Sequence, residues 1–269
     1  MSTEHRHMPD ANRLSVLAAA VLLAYALAHL AETQRQFLSL NLFGIALTIP
    51  VNLTAASTLM AAGLTAAGMD WLLRGHPHYG GENTFQHWIL PALTAFVVGL
   101  PLYNLPPGAG WWLSFGLGGV LLLLVFLAEY IALDTADVRY PAASAGLVAL
   151  SYVLFLILTT TLSFSNSRLA MVALAVFPSA GLVALRALRL RSGQWAFAWA
   201  LGIGLILTQL AATLHYWPLR PLQYGLILLG SLYALTELAL NLGESVSPRR
   251  AGLEAALELA FFWGAALFL

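Results

Sequence analysis

The chain has no cysteine and no lysine, and few charges of either sign. Without cysteine there can be no disulfide, no thiolate metal site and no cysteine nucleophile. Without lysine there is no partner for a retinal or pyridoxal Schiff base and no P-loop lysine. All twelve cations are arginine. Charged residues fill only 9% of the 269 positions, against about 25% in a soluble domain, so the helices of this chain cannot each offer a polar face to water. The formal net charge is zero, which argues against a nucleic-acid-binding surface. Nucleophilic triads, glycine-rich phosphate loops and heptad repeats are also missing, and Gly80-Gly81 reads only as a turn.

What is present is apolar: 60% of residues are hydrophobic, with a mean hydropathy of +0.80. A membrane span needs about 20 apolar residues, and lipid requires every backbone group to be bonded internally. The expected fold is therefore an all-α polytopic membrane bundle of about nine transmembrane helices, near 14–30, 50–73, 85–105, 111–133, 142–162, 169–190, 195–215, 222–242 and 251–269. Residues 1–13 read as a polar cytoplasmic tail and 14–269 as a single transmembrane domain. The first apolar run has no small-residue cleavage site before Glu32, so it reads as a retained helix rather than a signal peptide. Residues 37–49 are too short for a span and precede Pro50, which suggests an interfacial or re-entrant piece.

With the N-terminus inside, Arg6, Arg13, Arg74, Arg139, Arg186, Arg189, Arg191, Arg249 and Arg250 share one side, and Arg35, Arg168 and Arg220 the other. That nine-to-three split predicts a cytoplasmic N-terminus and an outer C-terminus, in the cytoplasmic membrane of a bacterium or archaeon. Trp71, Trp88, Trp111, Trp112, Trp195 and Trp217 fall near span ends, as an interfacial belt requires. Pro91, Pro101 and Pro178 fall within spans and predict kinks. Asn52, Ala56, Gly63, Ala67 and Asp70 make a small-residue stripe on the second span, which predicts its buried packing face.

The longest polar break, residues 70–88, gathers three histidines, two acids and one arginine. Pro77 pushes His76 toward extended backbone, where residues two apart point the same way. His76 and His78 can then converge on one ion, with Glu82 four residues on and His87 in the first turn of the third helix, behind a cap at Asn83 or Thr84. Imidazole with carboxylate suits zinc, iron or manganese, so a divalent metal is the candidate cofactor. The pattern matches neither HExxH nor paired HxxxH boxes, and Asp134 and Asp137 only faintly resemble an aspartate-rich diphosphate motif. Local pairing offers a competing account: Asp70 with Arg74, Asp137 with Arg139 or Arg74, and Glu244 with Arg249 or Arg250.

Acids inside spans need a reason, because a charge in lipid is costly. Glu129 lies about a turn inside the fourth helix, and Glu237, Asn241 and Glu244 share one face of the eighth. These four are the candidate intramembrane binding face, with Glu129 and Glu237 expected in one polar cavity open to the cytoplasm. Glu254 and Glu258 share a face of the ninth helix. A weaker outer grouping holds Tyr25, His29, Glu32, Arg35, His215 and Arg220.

Three functions compete. The leading expectation is a non-enzymatic protein that binds or transports a small solute or lipid, or serves as a membrane-complex subunit. The alternative is a membrane-embedded metal-dependent enzyme acting on a lipid-like substrate at the cytoplasmic face. The third is a purely structural membrane protein. The expected partners are the bilayer and a small solute or lipid.

Overall fold

The computed structural model describes residues 9–30, 36–42, 45–51, 53–77, 79–81, 84–165 and 168–269. Among them are nine helices: α1 Ala11–Leu30, α2 Leu53–Leu73, α3 Gln86–Asn104, α4 Ala109–Ile131, α5 Tyr140–Phe164, α6 Leu169–Ser192, α7 Phe197–Leu214, α8 Pro221–Gly243 and α9 Pro248–Phe268. Each overlaps one of the nine expected spans. Six of them, α4 through α9, are long and apolar enough to cross a membrane. The chain divides into two compact units, 1–147 and 148–269, with the boundary inside α5.

The segment between α1 and α2 forms an antiparallel hairpin, β1 Gln36–Leu42 and β2 Ile45–Val51, with Leu42 opposite Ile45 and Gln36 opposite Val51. Its sequence explains it. Leu38, Leu40 and Leu42 alternate with Ser39 and Asn41, and Ile45, Leu47, Ile49 and Val51 alternate with Ala46, Thr48 and Pro50. That period of two is a strand period. Pro50 has no N–H to give a ladder, which an edge position in a two-stranded sheet tolerates.

In the first unit α1, α2, α3 and α4 pack around Leu17, Val21, Tyr25, Met69, Leu72, Phe126 and Trp111. The face α2 turns inward is Ser57, Thr58, Ala61, Thr65 and Met69. The expected stripe is not that face. Gly63 and Ala67 are exposed, and a β-carbon on Gly63 would meet nothing within 4 Å. The close approaches come from other glycines: a β-carbon on Gly68 would meet Leu17 Cδ1 at 2.1 Å, and one on Gly99 would meet Thr58 Cγ2 at 2.5 Å. Trp111 is also not an interfacial anchor. It is 1% exposed, donates from Nε1 to the Leu102 carbonyl at 3.2 Å, and stacks on His29 at 3.8 Å.

In the second unit α6 and α7 meet through small residues. Ala180, Ala184, Ala200 and Ala211 are all buried, and a β-carbon on Gly204 would lie 3.0 Å from the Phe177 carbonyl. Small residues let helix backbones approach closely enough for dispersion to hold them without a hydrophobic drive. Helix α8 approaches α9 at Gly230, where an added β-carbon would meet Phe262 Cβ at 2.2 Å. Helix α6 ends on Gly193, whose N–H still reaches the Arg189 carbonyl at 3.0 Å and whose left-handed φ of 71° then turns the chain out of the helix. Along α9, Leu253, Leu257, Phe261 and Leu267 stay exposed, as lipid-facing side chains would.

Candidate functional site

Among the described residues, each unit carries a polar cluster among its apolar helices. In the first, α3 starts at Gln86 with Phe85 before it and no side-chain cap. The Thr84 hydroxyl, expected to cap that helix, instead donates to Asp70, and Trp88 Nε1 donates to the Thr84 hydroxyl at 3.1 Å. Asp70 also accepts from Arg74 at 2.8 Å, the i,i+4 pair expected from the sequence. The polar break is thus tied to the end of α2 through Asp70, not through a helix cap.

His87, in the first turn of α3, points to Glu129 near the end of α4. Its Nδ1 donates to Glu129 Oε2 at 2.7 Å. On the other edge of the ring, Gln86 Nε2 donates to His87 Nε2 at 3.1 Å. A neutral ring protonated at Nδ1 satisfies both contacts. The pair is fully enclosed, with side-chain exposures of 3% for His87 and 0% for Glu129. His76 is buried as well, its ring 4.5 Å from that of Tyr130, the residue after Glu129.

Of the four residues read as metal ligands, His78 and Glu82 lie outside the described residues. His76 and His87 lie within them, and each is seated on α4. No group of three His, Cys, Asp or Glu side chains among the described residues is placed to hold a metal ion. Asp137 sits in the turn after α4, where Oδ1 accepts from the Arg139 backbone N–H at 2.8 Å and Oδ2 from Arg139 Nη2 at 2.7 Å. That carboxylate pushes the guanidinium pKa further above its ordinary value.

In the second unit Arg191, at the end of α6, forms a short ion pair with Glu237 of α8. Around it, the Tyr152 and Tyr233 rings meet edge to face at 5.4 Å, and Tyr233 leans on Phe262 at 5.9 Å. One turn along α8, Asn241 Nδ2 donates to Glu254 Oε2 at 3.0 Å, and Arg250 Nε donates to Glu254 Oε1 at 2.9 Å. Glu258 brings a third carboxylate toward Glu237 and Glu254. Its Oε2 is enclosed and has no hydrogen-bond partner among the described residues.

Glu237 and Asn241 of the expected binding face are therefore engaged with α6 and α9. Glu244 is exposed at the C-cap of α8. Of the two arginines expected to pair with it, Arg250 turns to Glu254 of its own helix. Glu129 belongs to the first unit and Glu237 to the second, each with a partner inside its own unit. Arg191 and Tyr152 were not among the candidates. The signal for Arg191 was its place in the last turn of an apolar helix, where a long cation reaches a neighbour's acid. Arg186, counted in the sequence among the cations of the cytoplasmic side, is 1% exposed on α6.

At the opposite end of the second unit, a cavity of about 400 Å³ opens between the end of α5, α6, the α7–α8 connection and the start of α8. Val172, Leu214 and Tyr224 wall it, together with Ser163, His215 and Trp217.

Apolar helices enclosing a polar centre in each unit define a helical, membrane-compatible protein. Residues 33–269 match the family model described as "Protein of unknown function (DUF5656)", and the chain belongs to that family. No curated protein and no solved structure matches the chain.

Proposed function

We propose that this is a nine-span integral membrane protein with a cytoplasmic N-terminus, which binds a small solute or lipid without transforming it. The binding face in this reading is the cluster around Glu237, Asn241, Glu254, Glu258 and Arg191. The observation that carries it is the state of Glu237: a carboxylate only 8% exposed, on a helix apolar enough to cross a membrane, paired to a half-open arginine. Ionisable groups within spans are expensive and mark binding sites or ion paths by default. The half-open arginine leaves the cluster reachable from the helix ends, as a binding site requires.

The orientation rests on the nine-to-three arginine split. It is tested with a C-terminal reporter active only in the cytoplasm, which should be silent; an active reporter means an even number of spans or the opposite orientation. Binding is tested by native mass spectrometry of protein released from its membranes. A small molecule or lipid retained by the parent and lost in Glu237→Gln supports the reading. Equal retention in both defeats it. Elemental analysis of untagged protein decides whether a metal-dependent enzyme is involved, and stoichiometric metal lost on His76→Ala/His78→Ala would favour that alternative.

A further inference from the structure

The cavity at the far end of the second unit carries an inference of its own. Tyr224 and Glu237 stand thirteen positions apart on α8, about 20 Å along the helix, so the two sites are independent. The volume, about 400 Å³, lies within the range of about 300–1,000 Å³ typical of small-molecule pockets. It equals about thirteen water volumes at roughly 30 Å³ each, too little for a two-chain lipid and enough for a single tail or a ring system.

The walls specify the chemistry. Val172, Leu214 and Tyr224, buried at 2%, 6% and 4% exposure, form the apolar part of the wall, and polar atoms make up the larger share of the lining. Trp217 stands at the mouth, 63% exposed, as an aromatic at a membrane interface does. No Asp, Glu or Arg lines the cavity among the described residues, so nothing there compensates a charged ligand. Two walls offer hydrogen bonds: the Ser163 hydroxyl and the His215 ring. The ring is half-buried, packs edge-on against Tyr216 at 5.0 Å, and makes no hydrogen bond to another described residue. The Tyr224 hydroxyl already donates to the Ala211 carbonyl at 3.3 Å.

We propose that this cavity binds an uncharged amphiphile, with a single apolar tail or ring system among Val172, Leu214 and Tyr224 and its hydroxyl or carbonyl oxygen at His215. In the orientation proposed above the site opens to the outer leaflet.

The probe is a medium-chain fatty alcohol carrying a diazirine, photolysed with the full-length protein in nanodiscs and mapped by peptide mass spectrometry. Labelling should concentrate in residues 162–172 and 214–224, saturate, and be competed by the unlabelled alcohol. Val172→Trp fills the cavity and should weaken saturable labelling at least tenfold. His215→Phe keeps the volume but removes the hydrogen bond, and should weaken it about threefold to tenfold. His215 is half-buried at a helix end, so this variant should fold even if the first does not, and thermal unfolding checks each. Labelling spread evenly over lipid-facing helices such as the Leu257 and Phe261 side of α9 overturns the proposal, since bulk lipid behaviour explains it. Local labelling unchanged by His215→Phe overturns it too, because oxygen recognition then plays no part.

Discussion

The two units hold a carboxylate among apolar helices in opposite ways. In the first, Glu129 and His87 are closed off from solvent, with 0% and 3% of their side chains exposed. In the second, Glu237 keeps 11% and its partner Arg191 keeps 44%. An enclosed pair has no path for a ligand from solvent. A half-open pair retains hydration on one side, costs less to desolvate, and can exchange a partner. The difference separates a buried staple from a reachable site, although both read as a lone glutamate in an apolar helix.

The largest effect expected is from breaking the enclosed pair. Removing the Nδ1–H donor leaves a fully buried carboxylate without that partner, which costs more than the roughly 1–3 kcal/mol of an orphaned neutral group. His87→Ala should therefore lower the unfolding midpoint of the detergent-solubilised protein more than any other single change considered. The double variant His87→Leu/Glu129→Leu should recover most of that loss, because an apolar pair of similar volume is often neutral or better. If the double variant is as unstable as the single one, the two residues do not act as a pair, and the contrast between the units collapses.

A smaller effect is expected where α8 meets α9, the contact that brings Asn241 to Glu254. Gly230→Ala puts a carbon 2.2 Å from Phe262 Cβ. That atom is fixed to the α9 backbone, so the helices must part, at about 1–3 kcal/mol for overpacking. Retention of ligand in the second unit should fall with it. Gly63→Ala is the control: nothing lies within 4 Å, and alanine favours helix over glycine by about 0.5–1 kcal/mol. A midpoint lowered by both substitutions would mean that exposed α2 glycines pack against something other than lipid.

The helices were legible because a run of about 20 apolar residues has few other solutions, and each expected span overlaps one helix. The hairpin was legible too, in the alternation of Leu38, Leu40 and Leu42 with Ser39 and Asn41, but length arguments about spans overrode it. The inward face of α2 was not. Gly63 and Ala67 look like packing residues, yet in a lipid-exposed helix a small residue is as compatible with the outside as with the inside, and periodicity alone does not choose. The polar centres were half legible. Glu129 and Glu237 stood out as costly groups and His87 as a candidate metal ligand, while the partners of the two acids come from other helices, 42 residues away for Glu129 and 46 for Glu237. No local spacing encodes such a contact.

Opening the second centre from the arginine side should cost less than opening the first. Arg191 is nearly half exposed, so water can replace part of its contact, and the loss should fall below that of truncating a fully buried pair. Arg191→Ala should move the unfolding midpoint by less than the His87→Ala shift, while changing ligand retention as strongly as Glu237→Gln does. Stability loss equal to that of His87→Ala would place both centres in the same structural class and remove the argument for a site.

The smallest effect is expected at Arg250, and it sharpens the boundary of the site. Arg250 and Glu254 form an i,i+4 pair on α9 with 75% and 40% of their side chains exposed. The cation lies N-terminal to the acid, the weaker order for such a pair, and in the first turn of the helix, where the dipole disfavours it. The expected change for Arg250→Ala is below about 0.5 kcal/mol, close to undetectable in a thermal scan. Glu254 would keep its bond from Asn241, so the carboxylate stays placed. Ligand retention then discriminates. If the site ends at Glu237, Glu258 and Asn241, Arg250→Ala leaves retention unchanged. If retention drops while stability does not, Arg250 contacts the ligand directly, and the site extends past Glu254 to the start of α9.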